Sequence, residues 1–363
     1  MRIAFVDDIL ERHVLSSLER ALRARGHEVL TTGALWHGDR APSDPEDVAR
    51  VDAALEDVLA WRPDAALTPR VATLSQAQVA RLRARGVVTV GWLPDDPVLF
   101  RASTGRRAPW YDVTLHTGGE AELELYAGAG VHGVSFPFFT DEVAFPPVGL
   151  APGRYRGAGP ELGTVFLGNT HTRVKRWRHE WLRASGAPVT VVGQTAEDQS
   201  GLPSTLAADD REVARVLARA RYGVTMSQRF ADYAGTRYDF PGLADLGVFA
   251  VPSRVVQLAA SGVPIIAKVD DEVPPFPCVV VREPAELGAA VARLDADPRA
   301  ARDLAARAHA WFRSGFHADG RALLLEQLLA DPGWVRGTPA SHRARLYRTV
   351  TGGAPGRVGR RRS

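Results

Sequence analysis

Two adjacent carboxylates, Asp95 and Asp96, stand in the segment GWLPDDP, directly after an apolar run that begins at Val87. Acidic side chains are costly to bury unless something pairs with them. The pattern fits a turn that caps a helix, and it also fits a ligand site at the carboxyl edge of an open sheet. At such an edge either carboxylate could act as a general base or hydrogen-bond a ligand.

Two histidines also follow predicted strands. His13 comes after the first strand, where a base can face a substrate, although a turn or helix cap is the favoured interpretation of that segment. His116 ends a later strand in the segment LHTGGE, and its position fits a site role and a surface or capping role equally well. Both are candidate acid–base residues because imidazole titrates near neutral pH.

The second half of the chain carries two segments suited to a phosphorylated ligand. In the first, a strand runs into Gly168 and Asn169, and Arg173 and Lys175 follow in the first turns of a predicted helix. Glycine lets the backbone approach a ligand closely, and cations at a helix N-terminus are unfavourable unless an anion is present. A diphosphate site and a solvated basic helix face are both compatible with this segment.

The second segment is PSRVVQLAASGVPII, residues 252–266. Ser253 is predicted to cap a helix whose free N–H groups can hold phosphate oxygens. Arg254 and Gln257 lie three residues apart, so they share a face of that helix. An ordinary connection between two strands is the alternative for this segment taken alone.

Apolar periodicity places these residues in a repeating pattern of strands and helices. Strand-like runs alternate with amphipathic helical runs on both sides of a Pro- and Gly-rich stretch at 146–153. Among them we predict strands at 112–115, 222–226 and 249–251 and a helix at 174–184. This alternation predicts an α/β fold with two Rossmann-like, doubly wound domains facing each other across a cleft. The predicted divisions are a first domain at 1–148, a linker at 149–160, a second domain at 161–317, a helix at 318–345 that packs back on the first domain, and a disordered basic tail at 350–363.

Composition restricts the compartment and the partners. The 363 residues carry a net charge of only +3, so we expect no nucleic-acid partner and at most weak peripheral membrane contact through the basic tail. The single cysteine, Cys278, excludes a disulfide within the chain and a cysteine cluster for structural zinc. The start MRIAFVDD is typical of a strand, not of a signal peptide, and no apolar stretch reaches the roughly 18 residues of a membrane span. We expect a cytoplasmic protein.

Taken in order, these segments resemble the CgeB-like branch of the GT-B glycosyltransferases. Trp92 to Pro97 resembles the family's W-x-x-D-D-P-like element, Phe166 to Asn169 its F-x-G-N segment, and Arg254 to Pro264 its R-x-F-E-x-x-A-x-G-x-P segment. The C-terminal part resembles the family at residues 286–287, 297–299, 305–308 and 316–321. The resemblance covers most of residues 92–329.

The resemblance implies transfer of a sugar from a nucleotide-diphosphate-sugar donor to an unidentified hydroxyl-bearing acceptor, with no cofactor and no bound metal. The acceptor could be a polysaccharide, a lipid-linked intermediate, a protein or a natural product. The residues implied on the donor side are Gly168, Asn169, Arg173, Lys175, Ser253, Arg254 and Gln257. On the catalytic, acceptor side it implies Asp95 and Asp96, and His116 and His13 are further candidates because each follows or ends a predicted strand.

One position departs from the family pattern. The family usually carries Glu where this chain has Gln257, and in related enzymes that carboxylate accepts hydrogen bonds from the ribose hydroxyls. The Gln carbonyl can still accept, but without charge each hydrogen bond is weaker. Two alternatives therefore stay open: a degenerate GT-B module that binds a nucleotide-sugar without turnover, and a GT-B sugar-nucleotide epimerase.

Overall fold

A computed structural model describes residues 1–7, 12–35, 41–155, 162–196, 199, 201–206, 209–249 and 251–347, apart from the side chains of residues 12, 13, 248, 249 and 336. Within these ranges the chain forms two compact units. Unit 1 comprises residues 1–7, 18–137 and 317–347, and unit 2 comprises residues 12–17 and 138–316. The predicted basic tail at 350–363 lies outside the described residues.

Unit 1 contains a six-stranded sheet. Its strands are β1 (Arg2–Phe5), β2 (Glu28–Thr31), β3 (Ala65–Thr68), β4 (Val88–Leu93), β5 (Val113–His116) and β6 (Gly133–Ser135). The helices between them are α1 (Arg12–Ala24), α2 (Pro45–Trp61), α3 (Gln76–Ala84), α4 (Gly105–Arg107) and α5 (Glu120–Gly128). The strand order is β2-β1-β3-β4-β5-β6, and every neighbouring pair is parallel.

Local sequence explains where these helices begin and end. The Asp44 carboxylate accepts a hydrogen bond from the backbone N–H of Glu46, and Pro45 opens α2 with its preset φ. Ser75 and Gln78 form a capping box at the start of α3. Buried aliphatic side chains from the strands and helices, among them Val51, pack together as the core of unit 1.

Unit 2 contains a second six-stranded sheet and a short antiparallel pair. Its strands are β7 (Thr164–Leu167), β8 (Val189–Val192), β9 (Ser204–Thr205), β10 (Tyr222–Met226), β11 (Gln228–Arg229), β12 (Val248–Phe249), β13 (Ile265–Lys268) and β14 (Val279–Val281). Its helices are α6 (Arg176–Ala184), α7 (Asp210–Arg219), α8 (Ser253–Ala260), α9 (Pro284–Ala296) and α10 (Pro298–Gly315). The chain then returns to unit 1 with α11 (Ala318–Ala330), α12 (Trp334–Gly337) and α13 (Ala340–Arg343).

The second sheet has the order β14-β13-β10-β7-β8-β9, again with parallel neighbours throughout. The predicted α/β fold with two parallel, Rossmann-like sheets is therefore confirmed. Because parallel strands end at the same edge of a sheet, the residues that follow β7, β8, β10 and β13 lie together. Of the predicted donor-side residues, Gly168 and Asn169 follow β7 at this edge, and Arg254 hydrogen-bonds to the last residue of β10.

Two local predictions differ from the structure. The strand expected at 249–251 is instead the short β12, which pairs with β11 and not with the main sheet. Strand β5 runs one residue further than expected, because His116 pairs in register with both Leu93 and Ser135. The histidine is therefore the last paired residue of an interior strand.

Candidate functional site

The loops after β7 and β8 approach each other at two glycines. Gly168 has a φ of 147° and Gly193 a φ of 150°, a conformation that residues with side chains rarely adopt. A Cβ on Gly168 would lie 2.8 Å from Nη1 of Arg254, and a Cβ on Gly193 would lie 2.6 Å from the Gly168 carbonyl oxygen. Glycine is needed at 168 because its backbone lies directly against a guanidinium group.

Asn169 joins the same two loops. Its Oδ1 accepts a hydrogen bond from the backbone N–H of Gln194 at 2.9 Å. The amide NH₂ of Asn169 makes no hydrogen bond to any residue that the structure describes. This side chain therefore fixes the loop and keeps two donors available to a ligand.

Arg173 and Lys175 lie in a 3₁₀ turn that precedes α6, which begins two residues later than the sequence predicts. The Lys175 backbone N–H closes this turn on the carbonyl of Thr172 at 2.8 Å. Arg173 is exposed, whereas Lys175 is half-buried. Within the described ranges no hydrogen bond joins Arg173 to Gly168 or Arg254. The predicted role of Arg173 therefore stays a prediction.

Helix α8 begins with Ser253, and the residue in the N-cap position is Pro252. The predicted cap is therefore wrong. Pro252 holds the extended dihedrals of a cap residue (φ −67°, ψ 156°) because its ring fixes φ. The Ser253 hydroxyl makes no hydrogen bond to a described residue, so it is available as a ligand donor at the start of the helix.

Arg254, the second residue of α8, points back to the carboxyl edge of the sheet. Its Nη2 donates to the carbonyl oxygen of Met226, the last residue of β10, at 3.1 Å. Its Nε is buried without a partner, and no ion pair links it to a carboxylate among the described residues. Burial, and secondarily the charge of Arg178, hold the pKa of Arg254 well below its usual value.

Gln257 lies one turn further along α8. It is buried, with 8% of its surface exposed, and its carboxamide makes no hydrogen bond to the part of the chain that the structure describes. The group is therefore free to accept from a ligand hydroxyl, as the resemblance implies.

Sequence reasoning missed Arg178. This side chain is 1% exposed, and its Nε has no hydrogen-bond partner. Burial lowers its pKa to about 10, although the nearby Tyr233 and Asp232 partly oppose that effect. One signal was present: Arg178 precedes Leu182 by four residues, so both lie on the buried face of α6. A cation on an apolar face is the informative exception in such a pattern.

A second set of cations at this edge is neutralised within the protein. Arg229 Nη2 lies 2.8 Å from the Asp232 carboxylate, and Lys268 makes an ion pair with Asp270. Both cations also lie over the ring of Trp177, at 4.6 and 5.2 Å from its centroid. The Trp177 Nε1 donates to Asp232 at 3.0 Å. This network is internally balanced, in contrast to Arg178 and Arg254.

The two carboxylates of GWLPDDP have opposite environments in unit 1. The side chain of Asp95 is 56% exposed, and its Oδ2 lies 3.9 Å from Nη2 of Arg70. Asp96 is 1% exposed, and the Thr104 hydroxyl lies 2.8 Å from both of its carboxylate oxygens. Burial raises the pKa of Asp96 to about 8, so this group is largely a neutral acid at pH 7.

His116 does not reach a site. It is fully buried, its ring stacks on Tyr126 with centroids 4.1 Å apart, and neither ring nitrogen has a hydrogen-bond partner. Burial lowers its pKa to about 3. A neutral imidazole without solvent access cannot exchange protons with a substrate. We therefore correct the predicted catalytic role and assign His116 to the core.

Directly after the first strand, Asp7 is an acidic side chain held by hydrogen bonds. Asp7 is fully buried, and its carboxylate accepts hydrogen bonds from the Leu35 backbone N–H at 2.9 Å and from the Thr73 hydroxyl at 2.6 Å. It thus fixes the loops after β2 and β3. His13 lies in α1, but its side chain is outside the described residues, and its predicted role stays a prediction.

Within the described residues no three His, Cys, Asp or Glu side chains form a group that could hold a metal ion. No helix of the described chain is long and apolar enough to cross a membrane.

Comparisons with known proteins agree with this architecture. Residues 173–330 match a family described as glycosyl transferase-like. No curated protein matches the chain by sequence. The segment matched by the family contains Arg173, Lys175, Arg178, Arg254 and Gln257.

Three solved structures show the likeness of fold. Sucrose-phosphate synthase from Thermosynechococcus elongatus is 17% identical over 91% of this chain and 98% of its own, with a TM-score of 0.59. AviGT4, a glycosyltransferase involved in avilamycin A biosynthesis, is 14% identical over 93% and 99%, with a TM-score of 0.58. Anabaena Alr3699/HepE in complex with UDP-glucose is 12% identical over 91% and 98%, with a TM-score of 0.56. The fold is therefore that of the GT-B glycosyltransferases, while the CgeB-like branch stays a prediction.

Proposed function

We propose that this protein is a glycosyltransferase that moves a sugar from a nucleotide-diphosphate-sugar to a hydroxyl-bearing acceptor. The observation that carries the proposal is the Arg254 guanidinium, which lies against the Gly168 backbone with no carboxylate partner in the described chain. Arginine binds phosphate oxygens in a fork of parallel hydrogen bonds. The structural neighbour Alr3699/HepE, whose complex contains UDP-glucose, supports a donor of this kind.

The donor-side residues suit a leaving diphosphate. Negative charge grows on the diphosphate as the bond to the sugar breaks, and fixed donors stabilise that charge without reorganisation. Arg254, the NH₂ group of Asn169 and the hydroxyl of Ser253 supply such donors, and the Gln257 carbonyl can accept from ribose. We propose that these groups act without a metal ion, so that a chelator leaves transfer unchanged.

On the acceptor side we propose Asp95 and not Asp96. The exposed Asp95 carboxylate can accept a proton from a hydroxyl or orient it by a hydrogen bond. Asp96 holds its own proton at neutral pH because it is buried, so it cannot serve as a base. We propose that Asp96 instead supports the loop that carries Asp95, through its hydrogen bond with Thr104.

A ligand-induced shift of the melting temperature tests the donor site. The wild-type protein is screened with UDP, GDP, ADP and dTDP and with their glucose or N-acetylglucosamine conjugates. We expect selective stabilisation by one nucleotide family, lost in Arg254→Met and retained in Arg302→Met, a change of an exposed arginine of the same unit. Stabilisation by none of these compounds would overturn the proposal.

Turnover is tested separately with the stabilising nucleotide-sugar. We expect slow release of free sugar and nucleoside diphosphate, because many transferases hydrolyse their donors when water takes the acceptor's place, and the same rate in the presence of EDTA. Tight binding without any release over many hours would instead indicate a binding module. A change in the sugar's stereochemistry without release would indicate an epimerase.

A further inference from the structure

Four cationic side chains gather at the carboxyl edge of the second sheet, and they divide into two pairs. Arg229 and Lys268 each make an ion pair with an aspartate. Arg178 and Arg254 have no such ion pair among the described residues, and Nε of each is buried without a partner. The two arginines interact electrostatically, because the charge of Arg178 lowers the pKa of Arg254.

Buried arginines elsewhere in this chain show what a structural role looks like. Arg321 is fully buried and keeps one buried nitrogen, Nη1, without a hydrogen-bond partner, but its Nε donates to the carbonyl of Pro137 at 3.2 Å and its guanidinium lies over the Tyr347 ring at 4.9 Å. Arg343 donates to the carbonyl of Thr338 at 2.9 Å and to that of Gly133. Arg178 donates to no carbonyl, hydroxyl or carboxylate in the described chain, so its burial is not explained by internal hydrogen bonding.

We propose that Arg178 is a further donor-binding residue, which together with Arg254 forms a receptor for two negative charges. This inference rests on the proposed function. It adds Arg178 to the donor site, and it requires that the bound group carry two negative charges. The diphosphate bridge of a nucleotide-sugar carries two negative charges, whereas a single phosphodiester carries one. Two unneutralised guanidinium groups match the former, because each can form charge-assisted hydrogen bonds to a different phosphate.

The position of Arg178 in its helix would fix the side chain before an anion binds. It lies in the first turn of α6, and Leu182, one turn later, anchors the same helix face in the core. A guanidinium fixed in this way loses little side-chain entropy when an anion arrives. Helix N-termini add partial positive charge at the same place, since α6 and α8 both begin at this edge.

Titration calorimetry of Arg178→Met tests the inference, with whichever of UDP, GDP, ADP or dTDP stabilises the wild type. We expect affinity for the nucleoside diphosphate to fall about 30-fold, the usual effect of losing hydrogen bonds to a charged group. Affinity for the corresponding uncharged nucleoside is expected to change less than about twofold, since no phosphate is present. Arg178→Lys, which keeps the charge but loses the fork, is expected to lie between them.

The melting temperature of the ligand-free protein separates this role from a structural one. Methionine fills similar space without an unpaired charge, so Arg178→Met is expected to leave that temperature unchanged or raise it. A lower melting temperature with equal losses of nucleoside and nucleoside diphosphate affinity would overturn the inference, and so would diphosphate affinity within about twofold of wild type. With either outcome, nucleotide binding by the wild type would still support the proposed function. Failure of the wild type to bind UDP, GDP, ADP or dTDP would overturn the inference and the proposed function together.

Discussion

The buried acids at the carboxyl edge of the unit 1 sheet and the buried arginines at that of the unit 2 sheet differ in how far the protein satisfies them. At the edge of the unit 1 sheet the buried acids are satisfied from within: Asp7 accepts from Leu35 and Thr73, and Asp96 is held by Thr104. At the edge of the unit 2 sheet, Arg178 and Arg254 keep buried nitrogens without partners. The first arrangement stabilises loops, whereas the second leaves binding capacity for a ligand.

This difference indicates which buried charged side chains are candidates for ligand binding. A buried polar group that is fully hydrogen-bonded contributes to the fold and can be replaced by a similar shape. A buried charge without a partner lowers the stability of the ligand-free protein. Such a charge is therefore a candidate for binding a ligand of opposite charge.

Arg254→Met is expected to have the largest effect on catalysis. Removing one preorganised donor to a developing negative charge costs about 100-fold or more in kcat. We therefore expect kcat/KM for donor hydrolysis or transfer to fall by at least that factor, measured by release of nucleoside diphosphate. Arg302→Met is the matched control, and a similar loss there would point to a non-specific effect of charge.

Asp95→Asn is expected to come next. Loss of a general base typically lowers the rate by about 100-fold, while donor affinity should stay unchanged because the donor-side residues are untouched. Titration calorimetry with the nucleoside diphosphate, beside the transfer rate, checks both parts. An equal fall in donor affinity would contradict an acceptor-side role for Asp95.

Gly168→Ala is expected to weaken donor binding about tenfold, because the new Cβ would lie 2.8 Å from the Arg254 guanidinium and displace it. The φ of 147° adds backbone strain of about 1–3 kcal/mol for a residue with a side chain. Gly288→Ala in α9, where nothing lies within 4 Å, is the control and is expected to be neutral or stabilising. Unchanged donor affinity in Gly168→Ala would separate Gly168 from the site.

Asp96→Asn is expected to change the pH dependence of stability and not the rate at neutral pH. The pKa of Asp96 is about 8 in the folded protein and near 3.8 when unfolded. The folded state therefore holds the extra proton between these values, and wild-type stability falls as pH rises from about 4 to 8, by an amount on the order of a few kcal/mol. The amide cannot ionise, so urea unfolding at pH 5 and pH 8 should show a smaller difference in the variant. Equal slopes in both proteins would refute this account.

His116→Leu is expected to have the smallest effect on activity. The side chain lies in the core against Tyr126 and its nitrogens are unpaired, so an apolar side chain of similar size should keep kcat/KM within about twofold. The rate as a function of pH is expected to be unchanged as well. A large loss of rate in a folded variant would restore His116 as a catalytic candidate.

The order of strands and helices was largely readable from the sequence because strand-like and helical periodicities differ clearly. Strand β10 was predicted at its observed bounds, Tyr222–Met226, since it is a short apolar run between turn residues. The pair β11–β12 was not, because strands of two residues have no periodic signal. Strand β5 was predicted at 112–115 and observed at Val113–His116, a shift of one residue that is the ordinary uncertainty of a strand end.

The donor side was only partly readable. Gly168, Asn169, Arg254 and Gln257 were predicted from their order along the chain. The structure places Gly168, Asn169 and Arg254 together at the carboxyl edge of the second sheet, and the donor role of all four stays a prediction. Arg178 was hidden in the basic run RVKRWRHE, because sequence alone does not show which of five basic side chains turns inward.

The sequence by itself determined the two parallel sheets, the glycines at their edges and the kinds of charge that lie near them. Periodicity and turn chemistry depend on residues close together in the chain, so they can be recognised from the sequence alone. The tertiary structure was needed to show that Asp95 is exposed while Asp96 is buried. It was also needed to show that Arg178 and Arg254 make no ion pair with a described carboxylate, whereas Arg229 and Lys268 do. Burial and pairing depend on residues far apart in the chain, and these set the protonation and the binding capacity of each group.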